Sequence, residues 1–230
     1  ALADVLVLDP AIGSGAFQQN HAITSIEIPA SVTSIGAKAF YSCFRITKIN
    51  IPKAVSSIGA TAFHQCKGTI FIDCNIPDQT SSSSFASSQF TDVIFGDGVT
   101  SIGGSAFSGC TSLTDISIPD SITKIGSTAF YNCTSLTDLT ISDSVTTIGI
   151  YAFCNCRALT SVTIPDHVTT TGKYAFYGCT SLASIIIGKG VTSIGNYAFD
   201  GCKVLADLTI PDSVTSIGWS AFNGCNALTD

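Results

Sequence analysis

The sequence predicts a mainly β solenoid of about ten stacked coils of about 23 residues, each with two short strands and a helical or 3₁₀ turn. Three observations carry this. First, an Ala-Phe step ends at Phe17, Phe40, Phe63, Phe107, Phe130, Phe153, Phe176, Phe199 and Phe222, and successive anchors lie 23 residues apart, as in 153 − 130. Second, apolar residues recur at fixed offsets from the anchor, as in Leu136, Leu139, Ile141, Val145, Ile148, Ala152 and Phe153. Third, a Pro or Gly closes the first apolar segment of most coils, at Pro29, Pro52, Pro77, Pro119, Pro165, Gly188 and Pro211.

Each element follows from its residues. Leu136 to Ile141 alternates near its end and reads as a strand, stopped by the turn chemistry after it. Val145 to Gly149 reads as a second short strand. Its glycine recurs at 13, 36, 59, 103, 126, 149, 172, 195 and 218, which suggests a positive-φ corner. The remaining stretch, Ser127 to Cys133 for example, is too short for a stable α-helix and is expected to form a helical or 3₁₀ turn. A lone coil buries too little apolar surface to offset the entropy of ordering it, so coils must stack.

The whole chain, 1–230, reads as one solenoid with partial coils at both ends. The step from Phe63 to Phe107 is 44 residues, two short of a double period, and marks irregular coils at about 67–96 around Phe85. Val5 to Leu8 reads as an exposed edge strand, and the start without Met together with the stop partway through a repeat reads as a processed product or a segment of something longer.

Composition removes several classes of function. Charged residues make up 11% and hydrophobic residues 45%, which is not a disordered chain. No apolar run reaches the roughly 18 residues of a spanning helix, so no direct membrane insertion is expected. The net charge of −6, with 10 scattered Lys and Arg, leaves no basic footprint for nucleic acid.

The segment Leu113 to Cys133, Leu-Thr-Asp-Ile-Ser-Ile-Pro-Asp-Ser-Ile-Thr-Lys-Ile-Gly-Ser-Thr-Ala-Phe-Tyr-Asn-Cys, resembles the repeat of BspA-like leucine-rich-repeat proteins. That resemblance covers nearly the whole chain and implies a leucine-rich-repeat solenoid. It also implies an extracellular or cell-surface protein with adhesion or partner binding as its role, and no catalytic activity. The alternative reading is an intracellular assembly component, a building block that joins others end to end through its open solenoid ends.

Candidate sites are few. Eight of the 10 Cys lie three residues after an anchor Phe or its equivalent, which reads as a column of buried free thiols and not as disulfides or zinc. Cys74 and Cys154 are off phase, and Cys154 is a candidate exposed thiol. Leu8 to Phe17 resembles the glycine loop of adenine-specific DNA methyltransferases, but Ile12, Gly13, Ala16 and Phe17 fall in repeat phase, so no cofactor is expected. His21, His64 and His167 are too far apart in coil number to share a substrate, so no catalytic residues are assigned. Asp92, Asp115 and Asp138 form one carboxylate ladder, and Asp97, Asp120, Asp143 and Asp166 another. Calcium between them is the alternative to water-facing strand residues and turn residues bonded to their own backbone, and no metal is assigned.

One aromatic stripe stands out. Tyr151, Tyr174 and Tyr197 occupy the same exposed phase of consecutive coils, with Trp219 one position off in the next. Stacked rings can serve the solenoid itself, and aromatic residues are also favoured at contact centres. The stripe is the candidate partner-binding site, for a protein or glycan.

Overall fold

The computed structural model describes residues 10–78 and 83–229. Within them the chain winds as a parallel β-solenoid with two rows of strands. The longer row runs through Ser25–Glu27, Lys48–Ile51, Lys67–Ile72, Gln89–Phe95, Asp115–Ile118, Asp138–Ile141, Ser161–Ile164, Ser184–Ile187 and Asp207–Thr209. The shorter row is made of two-residue strands such as Lys124–Ile125 and Thr147–Ile148. Each row comprises one six-stranded and one three-stranded sheet. Every pairing is parallel, and in regular coils each residue faces its counterpart 23 positions on, as Ser161 faces Ser184. Nine strands in the longer row make about nine windings, one fewer than the anticipated ten.

The interior is a set of columns. Ten phenylalanines, Phe85 included, stack with ring centroids 5.1 to 5.5 Å apart and interplanar angles of 14° or less. Beside them runs the cysteine column. All ten cysteines are free and buried. Each in-phase thiol points at the carbonyl of the anchor Phe one coil back, as Cys156 Sγ donates to Phe130 O at 3.3 Å and Cys179 Sγ to Phe153 O at 3.3 Å. Cysteine thus supplies a small apolar volume together with a weak donor, which satisfies a buried carbonyl.

Two expectations about the turn are corrected. Among the described residues it contains no helix. Its N–H groups alternate: Thr128, Phe130 and Asn132 donate to Ile150, Ala152 and Cys154 of the next coil at 2.8 Å, while Ala129, Tyr131 and Cys133 donate three residues back within their own coil. A helix would keep all of these bonds inside one coil and leave nothing to hold the next one.

Nor does the recurrent glycine make a positive-φ corner. Positive φ falls two residues later, at Gly15, Lys38, Thr61, Ser105, Thr128, Tyr151, Tyr174, Tyr197 and Ser220. The glycine is there for close approach: a Cβ on Gly149 would sit 2.5 Å from Gly126 C and Ser127 N, and one on Gly172 would sit 2.3 Å from Gly149 O. Gly149→Ala is therefore expected to destabilise by about 2–3 kcal/mol through backbone displacement, read as a lower urea midpoint, whereas a drop below about 0.5 kcal/mol would contradict the packing described.

The irregular coil is held by side chains where backbone pairing lapses. Lys48 pairs with Thr69, only 69 − 48 = 21 residues on, with a register shift at Gly68/Thr69. The short strand is reduced to a single bridge from Ile76 to Ile102. Asn75 Oδ1 accepts from Thr100 N at 2.7 Å, Thr100 Oγ1 at 3.1 Å and Ser101 N at 3.2 Å. Asp73 Oδ1 accepts from Gly98 N, and Asp78 Oδ1 from Gly104 N. Ser84, which replaces the usual Ala before the anchor, donates its hydroxyl to Ile58 O at 2.8 Å. Cys74 is buried in the same hydrophobic core as Ile72 and Ile76. Val5 to Leu8 lies outside the described residues.

Candidate functional site

The tyrosine stripe forms a ladder. Tyr151 and Tyr174 stack at 4.5 Å and 3°, and Tyr174 and Tyr197 at 4.6 Å and 6°. Trp219 continues the row edge-on to Tyr197, at 5.1 Å and 72°. The three tyrosines are half-buried and Trp219 is 72% exposed. Each tyrosine stands on a left-handed backbone, with φ of 57°, 58° and 56°. The stack imposes that conformation on whichever residue holds the position.

A second column runs alongside, one residue after each anchor Phe: Tyr131, Cys154, Tyr177 and Asp200. Tyr131 meets Tyr151 edge-on at 6.5 Å and 83°, and Tyr177 meets Tyr174 edge-on at 5.7 Å and 73°. The smaller Cys154 lies between two tyrosines in this column, and a shallow groove of about 360 Å³ opens along the two columns. Tyr131, Tyr177 and Asp200 belong to the site but escape a reading that follows one phase at a time. The Tyr-x-x-Tyr spacing of Tyr174 and Tyr177 is the signal that could have found them.

Cys154 is not the exposed thiol anticipated from its phase. It is 2% exposed, and burial pushes its pKa up to about 11. The phenols of Tyr151 and Tyr197 are also raised, first by desolvation and then by the neighbouring Tyr174.

The other candidates resolve differently. Ala11–Ile12 of the methyltransferase-like segment is a strand in register with Ser34–Ile35, in the first described coil. His21 packs tilted against Phe44 at 4.2 Å and 36°, and His64 stacks on Tyr41 at 4.7 Å. Asp92, Asp115 and Asp138 stand in direct register. Among the described residues, however, no group of three or more His, Cys, Asp or Glu is arranged to hold a metal ion. Two of the four turn aspartates bond forward to the next coil: Asp166 Oδ1 accepts from Lys189 N at 2.7 Å, and Asp120 Oδ1 from the Ser142 hydroxyl. Among the described residues no helix is long and apolar enough to cross a membrane.

The serine and threonine coat is largely structural. Thr123, Thr146, Thr192 and Thr215 each donate a hydroxyl to the carbonyl 23 residues earlier, and Thr47, Thr114 and Thr137 do so on the other row. What remains unusual on the surface is the aromatic ladder.

Comparisons agree with this architecture. A leucine-rich-repeat protein from Bacteroides ovatus is 28% identical with a TM-score of 0.58, over 95% of this chain and 69% of that one. The T. pallidum leucine-rich-repeat protein is 27% identical with a TM-score of 0.59, over 90% of this chain and 78% of that one. A leucine-rich-repeat protein from Eubacterium ventriosum, 19% identical over 90% of this chain and 84% of that one, shares the fold with a TM-score of 0.50. Among curated proteins no sequence matches. The model of the BspA type leucine-rich-repeat region matches residues 10–134, 78–203 and 123–230, and with the stacked columns of Phe, Cys and close-packed Gly this establishes that the chain belongs to the BspA-type leucine-rich-repeat family.

Proposed function

We propose that the chain is a non-catalytic binding module of a larger surface protein, which engages a protein or glycan through Tyr151, Tyr174, Tyr197 and Trp219. The observation that carries this is the aromatic ladder, a cluster of contact-prone side chains on a surface whose hydroxyls and backbone groups are mostly occupied within the solenoid. Families of this kind act through exposed residues grafted on a common frame, so the ladder and not the frame would set the partner.

The test is a matrix-protein and glycan array probed with the native chain and with a Tyr151→Ser, Tyr174→Ser, Tyr197→Ser variant. Serine already holds the same left-handed position at Ser105 and Ser220, so the variant is expected to fold. Loss of the three rings is expected to weaken binding at least tenfold, about the effect of one contact hot spot. Binding that survives the triple change would remove the ladder from the interface. End-to-end assembly is the competing reading. A monomer in light scattering at high concentration counts against it.

A further inference from the structure

Resting on the reading of the chain as a binding module, we propose that the groove beside the tyrosine ladder takes a proline-rich peptide segment in the polyproline II conformation, with a basic residue near Asp200.

The ladder limits how it can be used. Tyr174 is covered on both ring faces, by Tyr151 at 4.5 Å and Tyr197 at 4.6 Å, so it offers its edge and its hydroxyl and no open face for a sugar to stack on. The backbone beneath is also committed. Tyr151 N donates to Lys173 O, Tyr174 N to Asn196 O, Tyr197 N to Trp219 O and Asn155 N to Tyr177 O. A partner strand finds no row of free N–H groups here, which removes β-strand addition. Recognition must come from side chains, and the occupant must bring carbonyl acceptors without needing a backbone ladder of its own. A polyproline II segment meets both conditions, since its carbonyls are unpaired and its prolines carry no N–H to satisfy.

The spacing agrees. Tyr131 and Tyr177 hold the same phase two coils apart, which at one strand spacing per coil is about 9–10 Å. Polyproline II repeats every three residues, about 9 Å. Prolines at i and i+3 can therefore seat against Tyr131 and Tyr177, with the intervening residues passing over the gap at Cys154 and the Tyr174 hydroxyl donating to a peptide carbonyl. Aromatic-lined grooves are the general solution for holding this conformation, which is already extended and loses little entropy on binding. Charge sets the flank: Asp200, beside Tyr197, lines the same groove, in a chain of net charge −6. Lys173 Nζ, 5.1 Å from the Tyr174 ring centroid, is the one cation found against the ladder among the described residues, so the basic flank of the peptide belongs at the Asp200 end.

Fluorescence anisotropy with the whole chain tests this, using a labelled peptide of eight prolines followed by Arg-Arg and a control with alternating Gly and Ser in place of the prolines. The proline peptide is expected to bind with a Kd of roughly 10–100 μM and the control at least tenfold more weakly. Tyr174→Ser is expected to weaken binding at least tenfold. Tyr174→Phe keeps the stack, removes only the hydroxyl and should weaken it about fivefold. Asp200→Asn should lower the salt dependence of binding. Absence of saturable binding up to about 1 mM, equal binding of the two peptides, or an unchanged affinity for both Tyr174 variants would overturn the assignment. If the array partner binds through the ladder and the proline peptide does not, this assignment fails while the broader reading stands.

Discussion

Raising the pH from 8 to 10 is expected to unfold the solenoid, or to lower its urea midpoint steeply, because its column of cysteines must stay protonated. Desolvation raises the pKa of each described thiol, to about 11 for Cys74 and Cys154 and about 12 for Cys110, and well above the ordinary thiol value for Cys133 and Cys156. The unfolded chain ionises its thiols near the ordinary value of 9.0. Above that pH the unfolded state binds fewer protons than the folded state, so stability falls as pH rises. The contribution is fully present below about pH 9 and drains away as the pH approaches the folded-state values. At pH 10 each such thiol costs about 1.4 kcal/mol, so Cys74, Cys154 and Cys110 alone cost about 4 kcal/mol. That is a large share of the 5–15 kcal/mol typical of a whole domain, and the remaining thiols add to it with the same sign. Replacing Cys133 and Cys156 by Ala should flatten the pH dependence. A urea midpoint that does not move between pH 8 and pH 10 would mean that these thiols are not buried.

Phe130→Ala is expected to cost about 3–5 kcal/mol, the range for removing a buried aromatic side chain. The ring is fully buried between Phe107 at 5.4 Å and Phe153 at 5.3 Å, so its loss leaves a cavity and breaks two stacking contacts at once. The neighbours cannot close the gap without shortening the spacing that the inter-coil hydrogen bonds fix. Because each coil is stabilised only by those beside it, the loss should propagate. Hydrogen exchange is expected to quicken first at Phe107, Phe130 and Phe153, whose amides bond between coils, and then outward. Phe222→Ala, in the last described coil and only partly buried, should cost markedly less. Equal costs for the two substitutions would contradict neighbour-dependent stacking.

The period of 23, the inward Phe and Cys columns and the strand positions were legible because each repeats with the same residue type. The conformation of the turn was not. Its left-handed position holds Gly15, Lys38, Thr61, Ser105, Thr128 and Tyr151 in turn, a set with no chemical common denominator. The backbone is driven there by bonds to the next coil, and an L side chain is tolerated at a cost of about 1–2 kcal/mol. The conserved-looking glycine two residues earlier suggested φ, when its role is to leave room for a neighbouring backbone. Counting phases from Phe17 also leaves Phe85 without a partner, yet the ring joins the stack at 5.4 Å from Phe63 and 5.1 Å from Phe107. Side-chain bonds from Asp73, Asn75 and Asp78 restore what the shortened coil lacks, and such substitutions leave no periodic trace.

The candidate site was half legible for a similar reason. Tyr151, Tyr174 and Tyr197 share one phase and can be read directly. Tyr131, Tyr177 and Asp200 share another, and only the winding of the coil brings the two phases together. Cys154 looks anomalous in sequence because its phase is, apart from Ala86, otherwise bulky or polar, and in the structure its small size helps to open the groove.

Thiol modification of the native chain followed by peptide mass spectrometry tests the interior most directly. With iodoacetamide at pH 8 and no denaturant, the account predicts that Cys110, Cys133, Cys156 and Cys179 remain unmodified for as long as the chain is folded, and that all four react together once urea unfolds it. Modification of these four at the rate of a free peptide thiol, with the circular dichroism unchanged, would show that the column faces water and that the coils are not stacked around it.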